Sequence, residues 1–333
     1  MKALIYAATH KHRVREEERL QKSIKGSLET VKVQYTYDPF DDFDVAHFLN
    51  FPDLKKIKDL KRAHIPVIMS ALYCENERES MLVETHTEKR VLKDKVRKCL
   101  NEADLVLVPG EINKTFLEKE GVISKIKVFP SPIKFSRFTM SEKKQSELVR
   151  HYFRKRKELP YVLVVGDFLN KKDMDNFLEV SELAPFVKFY LLGANYSLIL
   201  AGKYIKLTPD NVVLSTFVDD DIYRATLMKA KMLLVVNDFK VDSTVVHEAM
   251  AAKTQVVAYL KNMKGDCYLK DGVNCYAKKG INELVDTIDL LVKGKLKKTT
   301  EKAYQQVVDY SLEKSGKRLL NIYRTLLREK HHD

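Results

Sequence analysis

Lys171 and Lys172 stand between an apolar run that ends at Gly166 and a helix-forming stretch that begins at Met174. Two adjacent cations between a strand end and a helix N-terminus add to the positive end of the helix dipole, a combination suited to a dianionic ligand. A second polar group follows the apolar run Met232 to Val236. Ser243 and Thr244 are small hydroxyl residues suited to cap the helix-forming run that continues through Ala252, and the free N–H groups at such an end favour a phosphate. Glu248 lies four residues beyond Thr244, about one turn deeper on the same face. In the first half of the chain, His47 sits at the end of the run Phe43 to Leu49, either as a ligand or as a structural histidine. Glu75, Glu77 and Glu79 follow the run Ile65 to Ala71, facing an acceptor or forming a solvated loop. The trio Asp219 to Asp221 resembles a metal site only superficially; Asp219 is placed to cap a helix.

These groups depend on alternating strands and helices. Met232–Val236, a polar turn, a helix and the β-branched run Thr254–Tyr259 make one βαβ unit, and ligands of open parallel sheets sit at the carboxyl ends of such strands. Lys2–Ala7, Thr30–Tyr37, Phe43–Leu49, Ile65–Ala71 and Asp104–Val108 read as further strands, separated by helices that include a lysine-rich one over Pro52–Ala63 and a basic one over Glu88–Ala103. Tyr161 restarts a strand series after the helix Ser141–Lys157 and Pro160. The expected organisation is α/β: two doubly wound Rossmann-like domains facing a cleft, residues 1–157 on the acceptor side and 158–310 for the donor. A final helix, 311–333, crosses back to the first domain. No repeat of fixed period and no low-complexity segment interrupts this alternation.

The stretch Val241–Tyr259, with its Glu-Ala-Met-Ala helix, resembles the core of the retaining nucleotide-sugar glycosyltransferases of the GT-B fold, the group 1 type. The resemblance covers most of the chain: it is strong over Asn211–Ala277, good over Ala103–Val128 and weak before residue 40, and Asp44-Val-Ala-His47 resembles the family's strand ending in histidine. It is nearest to members that glycosylate diacylglycerol and related lipids. It implies a sugar transferred from a nucleotide-sugar with retention of configuration and no metal or other cofactor. Lys171 and Lys172 would grip the donor pyrophosphate, Glu248 the ribose, and the backbone near Phe217 and Val218 the nucleobase. Gly166, Ser243 and Thr244 complete the implied donor site, and His47 and Glu75 are the acceptor-side candidates. Three positions depart from the pattern. Lys240 stands where the family has its first glutamate, the active-site histidine position falls near Leu72, and no glycine-rich loop follows the first strand. They leave a second reading: a GT-B protein without transferase activity that binds or stabilises another glycosyltransferase.

Length and charge agree with this organisation. A chain of 333 residues suits two domains of about 150 residues. Its formal net charge of +13 fits phosphates, nucleic acid or an anionic membrane without choosing among them. Nucleic acid is not expected, because no aromatic residues interleave the basic ones and no groove-reading motif is present. Basic clusters at Lys55, Lys56, Lys58, Lys61 and Arg62, and at Lys93, Lys95, Arg97 and Lys98, would suit an anionic membrane surface. Four cysteines without a CxxC pair point to reduced thiols, a cytoplasmic setting and no metal cluster. No apolar run reaches the roughly 20 residues of a membrane helix, so any membrane association is peripheral.

Overall fold

The computed structural model describes residues 1–7, 14–49, 52–72, 83–86, 89–153, 160–166, 171–193, 207–215, 218–236, 244–261 and 268–332. The chain forms two compact units, one of Met1–Lys134 with Asp309–Asp333 and one of Phe135–Val308.

The first unit is built on a six-stranded parallel sheet. Its strands are β1 (Lys2–Ala7), β2 (Gln34–Thr36), β3 (Val45–Leu49), β4 (Val67–Ser70), β7 (Leu105–Val108) and β8 (Ile126–Val128), in the order β2-β1-β3-β4-β7-β8. The central strands are apolar almost without interruption, because helices cover both faces of a parallel sheet. Alternate side chains feed two cores. Leu4, Ala46, Phe48, Met69 and Val106 pack on one face with the Leu54–Arg62 and Asp94–Glu102 helices. Ile5, Val45, Leu49, Ile68 and Leu107 pack on the other with the Val14–Thr30 helix and with Leu319, Ile322 and Tyr323 of the terminal helix. That terminal helix, Leu312–His332, lies close against Val14–Thr30. A Cβ on Gly316 would fall 2.3 Å from the Ser27 carbonyl oxygen, so only glycine permits the approach. Lys330 adds an ion pair to Asp104 at 3.2 Å.

The basic helix expected over Glu88–Ala103 starts only at Asp94. Residues Lys89–Leu92 form β6, which pairs antiparallel with β5 (Val83–His86). The four residues Lys89-Arg-Val-Leu92 carry too short a pattern to separate a strand from a helical turn, and pairing decided between them.

The second unit carries another six-stranded parallel sheet: β9 (Tyr161–Val165), β10 (Lys188–Leu192), β11 (Val212–Ser215), β12 (Met232–Val235), β13 (Gln255–Tyr259) and β14 (Tyr276–Lys278). Their order is β11-β10-β9-β12-β13-β14. Taken within the unit, this is the 3-2-1-4-5-6 order of a dinucleotide-type Rossmann sheet. Phe177, Phe189, Leu234, Val257 and Ile288 centre its core. Residues 135–153, placed before the domain boundary by sequence, pack with this unit. Phe153 of the Glu142–Phe153 helix stacks on Tyr190 at 4.1 Å, and Tyr152 hydrogen-bonds Ser215 at 2.6 Å.

Candidate functional site

In the second sheet the chain reverses its direction of build between β9 and β12, and ligands of open α/β sheets bind at the carboxyl ends of such neighbouring strands. Both strands are followed by helices: β9 leads through half-buried Gly166 to Lys171–Leu183, and β12 leads to Thr244–Ala251. Lys171 and Lys172 thus open one helix and half-buried Thr244 opens the other, on either side of the switch point. The Gly166 N–H donates to the Leu192 carbonyl at 3.0 Å, fixing the end of β9 against β10. Gly193, just past β10, has φ +84°, a conformation that suits glycine. Val218 is half-buried just before the Asp220–Lys229 helix. The side chains of Lys171 and Lys172, and the residues Phe217, Lys240, Ser243 and Glu75, lie outside the described residues.

Glu248 has the most developed surroundings. It sits in the second turn of the Thr244–Ala251 helix with its side chain 3% exposed. Oε1 accepts from Arg137 Nη1 at 2.6 Å, and Oε2 accepts from the Tyr223 hydroxyl at 2.6 Å. Arg137 belongs to the 3-10 turn Phe135–Phe138. Its Nη2 pairs with Asp220, and its carbonyl accepts from Arg224 Nη1 at 2.7 Å. Arg224 pairs in turn with Asp220 and Asp221. Burial works against the charge on Arg137, but Glu248 and Asp220 outweigh it and hold the guanidinium above its ordinary pKa. Asp220 and Asp221 are therefore spent on arginines. Asp219 holds the cap position of its helix but makes no side-chain cap hydrogen bond.

Arg137, Tyr223 and Arg224 were not among the sequence candidates. Asp220, Tyr223 and Arg224 recur at i, i+3 and i+4, which puts an acid, a phenol and a guanidinium on one helix face. That spacing was legible. Arg137, 111 residues from Glu248, carried no local signal.

The acceptor-side candidate His47 lies in the middle of the first unit's core, with no exposed surface. Nδ1 is 2.8 Å from the Tyr323 hydroxyl and Nε2 is 2.7 Å from the Ser70 hydroxyl. Burial lowers its pKa to about 3, so the ring is neutral. Leu72 packs against the same core. The lysine-rich helix Leu54–Arg62 buries Ile57 and Leu60 and turns its cations outward. Some are paired within the unit: Lys61 lies 3.5 Å from Glu102, and Arg62 3.2 Å from Asp59.

No family model matches the chain. Among curated proteins it is 24% identical over 319 residues to the processive diacylglycerol alpha-glucosyltransferase of Acholeplasma laidlawii, covering 92% of each chain. Among solved structures it is similar to Anabaena HepE in complex with UDP-glucose, with TM-score 0.73 and 13% identity over 98% of this chain and 100% of that one. A glycosyltransferase from Rickettsia africae gives TM-score 0.72 at 12% identity over 98% of both chains. The sucrose-phosphate synthase of Thermosynechococcus elongatus gives 0.68 at 15% identity, over 96% of this chain and 81% of the other. These likenesses show a GT-B fold of two Rossmann-like units, and together with the curated relative they support a glycosyltransferase of the group 1 type.

Proposed function

We propose that this chain transfers a hexosyl group from a nucleoside-diphosphate sugar to a membrane lipid, with retention of configuration. The observation that carries the reading is the Rossmann order of the second unit. It sets Lys171, Lys172 and Thr244 at the starts of the two helices that flank the switch point, with Glu248 one turn inside. UDP and UDP-glucose are present in the HepE structures to which the chain is similar, and a uridine nucleotide is the first donor to test.

In this reading the pyrophosphate lies between the two helix N-termini. The bond from the anomeric carbon to the diphosphate breaks, and the acceptor hydroxyl oxygen bonds to that carbon on the same face. The hydroxyl proton leaves with the departing diphosphate. Charge builds on the diphosphate as the bond breaks, and Lys171, Lys172 and the helix N–H groups offset it, with no metal assigned a part. Glu248 accepts from the ribose hydroxyls, and the backbone at Val218 serves the nucleobase. The lipid acceptor is drawn from the printed activity of the Acholeplasma relative and from the basic helices of the first unit. Among the described residues no helix is long and apolar enough to cross a membrane; the association proposed is peripheral, at the cytoplasmic face.

The test uses the full chain, UDP-glucose and other nucleotide-sugars, and vesicles of diacylglycerol with anionic phospholipid. Release of free nucleoside diphosphate together with a glycosylated lipid is expected. Lys172→Ala should weaken diphosphate binding by about 1.5–3 kcal/mol, the worth of a charge-assisted contact. Calorimetry that detects no nucleotide binding to the wild-type chain would overturn the assignment.

A further inference from the structure

We infer that Arg137 is a positioning residue for the donor: it holds the Glu248 carboxylate in the orientation that the nucleotide requires. The inference rests on the functional reading above and extends it to a residue outside the two flanking helices.

The geometry is that of an orienting device. Each oxygen of Glu248 meets a different partner at 2.6 Å, Arg137 on one side and Tyr223 on the other. Two fixed contacts on separate oxygens leave the carboxylate plane little freedom to rotate. Arg137 is itself held at further points. Asp220 takes its second terminal nitrogen, and Arg224 binds its backbone carbonyl. The aromatic ring of Phe138 lies under its guanidinium at 5.7 Å. A planar, permanently charged fork suits this bridging role, whereas a lysine is a point charge that would reach one acid at a time.

Stability alone is a weak reason for such a pair. Removing two charges from water costs so much that a buried ion pair can often be replaced by well-packed apolar side chains at no loss. The Thr244–Ala251 helix already buries Val246, Ala249 and Met250. What an apolar pair cannot do is present a carboxylate at a defined angle one turn below a ligand-facing helix end. Asp220, Tyr223 and Arg224 then serve as the outer support of that carboxylate, all from one helix face. Supporting groups of this sort set the precision of a binding site as much as the contacting residue does.

The experiment measures uridine diphosphate binding by calorimetry and donor KM and kcat on the full chain. The variants are Arg137→Ala, Arg137→Lys and Tyr223→Phe. Arg137→Ala should lower diphosphate affinity and raise donor KM by roughly 10–100-fold, the equivalent of a lost charge-assisted contact, with a much smaller change in kcat. Arg137→Lys should recover part of that loss. Tyr223→Phe, which keeps the ring packed, should show a loss of the same kind but smaller. In a Glu248→Gln background, Arg137→Ala should cost less than it does in the wild type. Should Arg137→Ala fail to fold, the lysine and phenylalanine variants carry the comparison. Wild-type affinity in folded Arg137→Ala or Arg137→Lys overturns the inference, as does a fall in kcat with donor KM unchanged. If the wild-type chain binds no nucleoside diphosphate, the functional reading falls first and the positioning role falls with it.

Discussion

In the first unit, Tyr323 and Ser70 close on His47; in the second, Arg137 and Tyr223 close on Glu248. His47 and Glu248 are both buried, and each cluster ties a segment distant in sequence to a central element. Tyr323 fastens the terminal helix to β3, and Arg137 fastens the turn at 135–138 to the Thr244–Ala251 helix. Their chemistry is opposite. The His47 cluster is neutral: every group can donate or accept, and burial suppresses the charged form of the ring. The Glu248 cluster keeps formal charges and satisfies them with two arginines. A neutral cluster needs little beyond its hydrogen bonds to sit in a core, while a charged one is stable only as a complete set. The first reads as architecture. The second reads as an orienting device whose partners cannot be removed one at a time.

Removing one member of the charged set should therefore produce the largest effect. Glu248→Leu leaves Arg137 short of its buried partner and should destabilise the second unit by about 3–5 kcal/mol in urea unfolding. Adding Arg137→Met should restore much of that stability, because an apolar pair replaces an ion pair well. Nucleotide binding should stay lost in both. If the double variant recovers binding along with stability, the cluster is scaffolding like its counterpart and the contrast collapses.

The neutral set should break more gently. Tyr323→Phe keeps the ring that fills the core but takes the hydroxyl from His47, at a cost of about 1–3 kcal/mol. Uridine diphosphate affinity should remain within about twofold of wild type, since the change is confined to the first unit. A larger fall in affinity would assign the His47 cluster a part in the donor site.

How much of this the chain announced differs between the two clusters. The parallel sheets were legible from runs such as Leu105-Val-Leu-Val108, which make sense only with helices on both sides. Glu248, Thr244 and Lys171 were legible as positions because each sits at a fixed offset from a strand end. His47 was legible as a histidine on a strand, but nothing local separates a ligand from a core residue. The distinction lies in Tyr323, 276 residues away. Arg137 was hidden for the same reason. Its neighbours Phe135-Ser-Arg-Phe138 read as a connector, and its partners come from two helices far along the chain. Long-range polar pairing leaves no periodic trace, whereas apolar burial does. The boundary shift from 157 to 134 has the same origin: the stack of Phe153 on Tyr190 is a tertiary contact that sequence pattern does not encode.

The smallest of the expected effects depends on pH, and its sign follows from burial. Desolvation lowers His47 to about 3 in the folded chain, against about 6.5 when it is exposed. Between those values the unfolded chain binds a proton that the folded chain refuses. The stability linked to this group is present above pH 6.5, is lost progressively as the pH falls, and levels off near pH 3. Between pH 7 and pH 5.5 the loss is about 1 kcal/mol. The Tyr323 hydroxyl does not titrate in this window, because burial raises its pKa further still, and Ser70 carries no ionisable group. His247, buried beside Tyr268 and lowered to about 4, adds a similar loss in the second unit. Hydrogen exchange on peptides spanning β3 and β4 isolates the first unit's share. His47→Asn should flatten the acid dependence of protection there, while the β13 peptides keep theirs. Parallel acid profiles for wild type and His47→Asn across β3 and β4 would show that the neutral cluster admits a proton, and the chemical contrast between the two units would then disappear.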